Sequence, residues 1–181
     1  MSAVQFKTKL ITINGWTILH LPEEASAKLP SRGMTMVAGT INGVPFKTVL
    51  ESDGRYMSDA KPSHWFKPDD NLLKQAKATT GDKVQITLEP TKEWIEPELP
   101  DDVKKAIASS PKAQQIWNET SPIAHWDWVR WIRAVKTDET RQKHIEVALD
   151  KMNKGMRRPC CFNRTLCSEP HVSKNWKLLD P

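Results

Sequence analysis

No stretch of this 181-residue chain approaches the roughly 18 consecutive apolar residues of a membrane span. The first twenty residues, Met1 to His20, also lack a long apolar segment and a small-residue cleavage site, and lysines interrupt their alternating pattern. They therefore read as part of the fold and not as a secretory leader. Cysteine is scarce and confined to Cys160, Cys161 and Cys167, which cannot supply a disulfide framework across the chain. A reducing compartment, the cytoplasm, is the expected location. There is no phosphate-cradling glycine loop, no helical HExxH and no CxxC pair, which leaves the common nucleotide, metalloprotease and zinc-finger signatures without support. His20, His64, His125, His144 and His171 are scattered, none in a recognised nucleophile motif. Asp69-Asp70 reads better as a helix start than as a paired acid and base. Internal repeats and low-complexity tracts are absent as well.

What is present suits a folded protein, since 38% of residues are hydrophobic and 27% charged. The first half has a period of two. Val4, Phe6 and Thr8 alternate with polar positions, and Ile11 and Ile13 run into Asn14-Gly15, followed by Trp16 and Ile18. The device recurs when Met34 to Ile41 meets Asn42-Gly43 and continues as Val44 to Leu50. An Asn-Gly pair between apolar strands predicts a type I′ hairpin, because that turn needs positive φ at both central residues. Asp53-Gly54 is expected to reverse the chain into a strand over Arg55 to Ala60. A short helix is expected over Asp69 to Ala78, and a last strand carries Val84, Ile86 and Leu88.

The rhythm changes at Leu99-Pro100. A helix starts near Asp101 or Asp102, and Ser110-Pro111 and Ser121-Pro122 each place an N-cap residue before a proline, the preferred order at a helix start. Thr137 reads as the cap of the final helix. Asp138 and Glu139 stand in its first turn, where the helix dipole favours negative charge. Ile145, Ala148, Leu149 and Met152 mark its buried stripe, and Gly155 its end. The expected fold class is α+β: a small closed or nearly closed antiparallel β-barrel of about six strands, then a three-helix C-terminal segment and an irregular tail. The expected divisions are 1–96, 97–155 and 156–181, with Phe162, Leu166 and Trp176 packing the tail down.

Both halves carry groups of residues that resemble known bacterial families. Trp16, Leu21-Pro22, the run Gly39-Thr40-Ile41-Asn42-Gly43-Val44-Pro45-Phe46 and Gly81-Asp82-Lys83-Val84 resemble a small β-barrel domain of unknown function. Trp131-Ile132, Ala134-Val135-Lys136, Glu139-Thr140-Arg141 and the run from Lys154-Gly155-Met156 to Phe162-Asn163 resemble the OmpD-associated, bacteriocin-protection-like family often fused to it. The resemblance covers nearly the whole chain, to about Cys167. It implies a fold and carries no catalytic residue or cofactor with it.

Net charge is +5 and uneven. Residues 141–164 hold seven basic side chains against two acidic ones. Arg141, Arg157 and Arg158 are the candidate ligand-binding residues, since a guanidinium fork suits carboxylate and phosphate, and Trp126, off the apolar stripe of its helix, is the candidate exposed ring. Arg141 has the alternative role of pairing with an acid on a neighbouring helix. Cys160, Cys161, Cys167 and His171 have the donor chemistry for zinc but poor spacing, adjacent cysteines seldom serving one ion. Thiols buried under the tail, or open to oxidation, are the favoured account of these residues.

The leading expectation is a non-enzymatic binding or stress-tolerance protein with an unidentified anionic ligand or protein partner, no membrane partner and no cofactor. Single-stranded nucleic acid bound through the basic 141–164 segment is the first alternative, and a small-molecule enzyme using a barrel pocket the second.

Overall fold

The computed structural model describes residues 3–55, 61–160 and 162–181. The chain divides into two compact units, one of residues 1–95, 164–167 and 171–181, the other of residues 96–163 and 168–170. The last 26 residues thus contribute to both.

The first unit is built on a curled antiparallel half-barrel sheet. Its strands are β1 (Val4–Lys9), β2 (Ile11–Ile13), β3 (Trp16–His20), β4 (Thr35–Ile41), β5 (Val44–Ser52), β6 (His64–Phe66) and β7 (Lys83–Pro90), paired in the order β1-β7-β4-β5-β6-β3-β2. Both Asn-Gly hairpins form as expected. Asn14 and Gly15 have φ of 46° and 83°, and Asn42 and Gly43 have 49° and 84°, so each turn matches the twist of its flanking strands. β1 and β2 are consecutive, joined through the buried Leu10, yet stand at the two ends of the ladder order. The sheet must curl to let one bent segment serve both ends.

The antiparallel sheet expected as a closed or nearly closed barrel of about six strands is, among the described residues, a curled half-barrel of seven. β6 lies at 64–66, inside the proline-flanked stretch, where three residues are too few to display a period. Most of the strand expected over 55–60 falls outside the described residues. Two short helices accompany the sheet, α1 (Glu23–Ser26) and α2 (Asp70–Gln75). The Asp69 carboxylate caps α2 by accepting from the Leu72 N–H at 2.8 Å.

Side chains fill the concave interior, with Leu10, Leu19, Val37, Ile41, Leu50, Val84, Ile86 and Leu88 all fully buried. A smaller cluster of Ile13, Ile18, Trp65, Cys167, Val172 and Leu178 holds the C-terminal segment. That segment is not wholly irregular, since β8 (Ser173–Lys174) and β9 (Lys177–Leu178) pair as a hairpin. Its apolar anchors are Cys167, Val172 and Leu178. The expected anchor Trp176 sits in the hairpin turn, 47% exposed.

The second unit has four main helices where three were expected: α3 (Asp101–Ala108), α4 (Pro111–Asn118), α5 (Pro122–Arg133) and α6 (Asp138–Asn153). α3 and α4 are eight residues each, separated by Ser109-Ser110, and the Ser110 hydroxyl accepts from the Ala113 N–H to start the second. Thr137 caps α6 through the Thr140 N–H. Val103, Ile107, Ala113, Trp128, Ile132, Ile145, Ala148 and Met152 form one apolar core. No helix among the described residues is long and apolar enough to cross a membrane.

Gly39 and Gly43 occur in the same motif but answer to different constraints. A Cβ on Gly39 would stand 2.1 Å from the Thr87 carbonyl oxygen, across the β4–β7 ladder, whereas one on Gly43 would meet nothing. Gly39→Ala should cost about 3 kcal/mol by forcing two paired backbones apart. Gly43→Ala should cost about 1–2 kcal/mol through its positive φ. Urea unfolding of the two variants gives the comparison, and equal losses would contradict it.

Candidate functional site

The first unit contains a buried polar pair that sequence spacing does not reveal. β6 lies between β5 and β3, with Ser52 opposite His64, and with Glu51 and His20 on either side of Trp65. Because strand residues alternate faces, Trp65 joins the Ile13–Cys167 cluster while His64 turns toward α1. Pro22 precedes α1, whose last residue is Ser26. Ser26 and His64 are 5% and 1% exposed. The Ser26 hydroxyl lies 2.7 Å from His64 Nδ1, and His64 Nε2 lies 2.8 Å from the Gly33 carbonyl oxygen. A carbonyl can only accept, so Nε2 carries the proton and Nδ1 is left to accept from Ser26.

This pair lines a cavity of about 310 Å³. Exposed Glu23, Arg32 and Lys61 stand at its mouth, with Leu29 and Pro62 among its apolar walls. A second polar group lies on the same sheet. Asp53, fully buried, accepts from His20 Nε2 at 3.2 Å and from the Arg55 N–H at 3.1 Å, and Arg55 reaches on to Asp180 at 2.6 Å.

The residues singled out from sequence lie in the second unit and are engaged separately. Arg141 makes a two-pronged pair with Asp102, joining α6 to α3. Arg157 contacts Glu119 at 3.4 Å, and Arg158 stands 3.7 Å from the buried Asp127 on α5. Arg141 is in the first turn of α6 and Arg157 lies beyond its last, on the order of 20 Å apart along a helix rising 1.5 Å per residue. Trp126 is half-buried, so the expected exposed ring is corrected; Trp176 is the exposed indole among the described residues.

Other indoles are engaged by histidines. Trp117 stacks on His125 at 3.9 Å between centroids, and Trp131 on His144 at 4.1 Å. Of the zinc candidates, Cys161 lies outside the described residues, Cys160 is exposed, Cys167 is buried in the apolar cluster, and His171 packs on Trp16. No group of three or more potential metal ligands occurs among the described residues.

Comparison with protein families agrees with this division. Residues 6–88 match a domain of unknown function, DUF1905, and residues 96–155 match the family described as bacteriocin-protection, YdeI or OmpD-associated. Each match spans less than half of the chain, and together they place a stretch similar to DUF1905 ahead of a stretch similar to the OmpD-associated family. No curated protein matches the chain. The Ser26–His64 pair and its cavity lie within the stretch that matches DUF1905. Arg141 lies within the stretch that matches the OmpD-associated family, and Arg157 and Arg158 follow that stretch directly. The sequence signals this site only weakly, through His64 beside the two aromatic residues Trp65-Phe66 and between Ser63 and Lys67.

Burial pushes the His64 imidazole below the ordinary histidine value of 6.5. The Gly33 carbonyl and the Asp53 carboxylate pull the other way, and His20 adds to the lowering. A base whose folded value is depressed takes up its proton more readily in the unfolded chain. The resulting destabilisation appears as pH falls below about 6.5. Thermal midpoints should therefore drop between pH 7 and pH 5, and His64→Gln, less stable at pH 7, should show a shallower drop. An unchanged slope in the variant would contradict this assignment.

Proposed function

We propose that this protein binds a small anionic molecule in the DUF1905 cavity, with Lys61 meeting the charge and Ser26 and His64 forming the polar floor. The observation that carries the reading is the cavity itself, about 310 Å³ beside a sheet interior already filled by side chains. That volume is at the lower end for small-ligand sites. Among the described lining residues, the cations Arg32 and Lys61 outnumber the one carboxylate, Glu23, a local balance that favours an anion.

The protection named in the family description would then act through a small ligand. A chain of net charge +5 is poorly suited to capturing cationic peptides directly. The nucleic-acid reading is weaker because many cations of the basic segment are already paired. Arg141 faces Asp102, Lys143 faces Glu139, Lys154 faces Asp150, Arg157 faces Glu119 and Arg158 faces Asp127.

Titration of the full chain with succinate, followed by amide chemical shifts, tests the proposal. Shifts should concentrate in residues 26–33 and 61–64, and Lys61→Glu should weaken binding about tenfold, a loss of about 1.4 kcal/mol. Shifts confined to residues 141–158 would defeat it. Salt-sensitive binding of single-stranded RNA at those residues would favour the alternative.

A further inference from the structure

We propose that Ser26 is a nucleophile activated by His64, and that the DUF1905 domain takes an acyl group from an ester of a small dicarboxylic acid and passes it to water. The inference rests on the reading that the cavity admits a small anion, and it adds a reaction to that reading.

The geometry has three parts. The hydroxyl lies within hydrogen-bond reach of the imidazole, at 2.7 Å. The imidazole is oriented from its far side by the Gly33 carbonyl, at 2.8 Å, which holds the proton on Nε2 and leaves the Nδ1 lone pair toward Ser26. An acceptor on the far nitrogen has the orienting role that a carboxylate has in a serine triad, with the two ring nitrogens exchanged. The third part is access. Ser26 and His64 both line a cavity, where a purely structural tie between α1 and β6 would need no space beside it. Burial also keeps the ring free of the strong competition from water that a surface serine would meet.

In the acylation step, Ser26 Oγ attacks the ester carbonyl carbon as its proton passes to His64 Nδ1. The bond from that carbon to the alcohol oxygen then breaks, and the departing alcohol takes the proton from Nδ1. In the second step, water attacks the acyl carbon, gives a proton to Nδ1, and releases the dicarboxylic acid as Ser26 regains its proton. No oxidant, metal or further reactant enters. Lys61 holds the second carboxylate of the acyl group, which selects dicarboxylate esters over neutral ones.

The test uses the full chain and 4-nitrophenyl hydrogen succinate, with succinate binding measured in parallel by calorimetry. The expected result is a fast release of one 4-nitrophenolate per chain, with a succinyl group found by mass spectrometry on the peptide containing Ser26. Ser26→Ala should show neither burst nor label, and His64→Gln should slow the burst about a hundredfold. Ser26→Cys keeps a nucleophile in place should the alanine variant not fold, and it should carry the succinyl group on sulfur. A chain that binds succinate but takes no label, or takes it only on lysines, overturns the nucleophile and leaves the binding reading standing. A chain that does not bind succinate overturns both.

Discussion

A three-residue strand holds the curled sheet of the first unit together. His64, Trp65 and Phe66 supply the backbone partners that β3 and β5 would otherwise lack on their facing edges, and unpaired buried N–H and C=O groups are costly. The same residues serve two faces of the sheet. Trp65 enters the apolar cluster around Cys167 and donates its indole N–H to the Ser52 carbonyl at 3.1 Å, while His64 meets Ser26. A register slip of one residue would exchange those faces, placing an indole against the serine and an imidazole in the apolar cluster. The strand's position is thus set from both sides.

This explains how a buried polar pair can sit in a small domain. A hydroxyl and an imidazole removed from water cost free energy unless each finds a partner, and here each hydrogen-bonds to the other while the Gly33 carbonyl takes the remaining N–H. Asp53, also fully buried, is satisfied by His20 and Arg55 in a parallel arrangement. The two groups influence each other through space, since the Asp53 charge and His20 both bear on His64. What distinguishes Ser26–His64 is the cavity beside it.

The second unit uses its polar residues differently. Arg141 fastens α6 to α3, and holds the Asp102 carboxyl below the usual carboxylate range by its hydrogen bond. Trp117 and Trp131 form flat stacks with His125 and His144, and His125 Nδ1 also meets Glu96 at 2.7 Å. Tryptophans and arginines that suggest a binding surface when read in sequence are here committed to packing and ion pairs.

The sequence alone determined what is local or periodic. Both Asn-Gly turns, the alternation of Val84, Ile86 and Leu88, the caps at Ser110 and Thr137, and the core stripe through Trp128, Ile132, Ile145 and Met152 follow from turn geometry and repeat period, which neighbouring residues carry between them. Tertiary structure decided what depends on residues far apart in the chain. β6 is too short to show a period, α1 spans a single turn, and Ser26, Gly33 and His64 come together only when the sheet curls and places β6 between β3 and β5. The pairing of each arginine likewise awaited the packing of helices, because a charge shows its sign in sequence and its partner only in space.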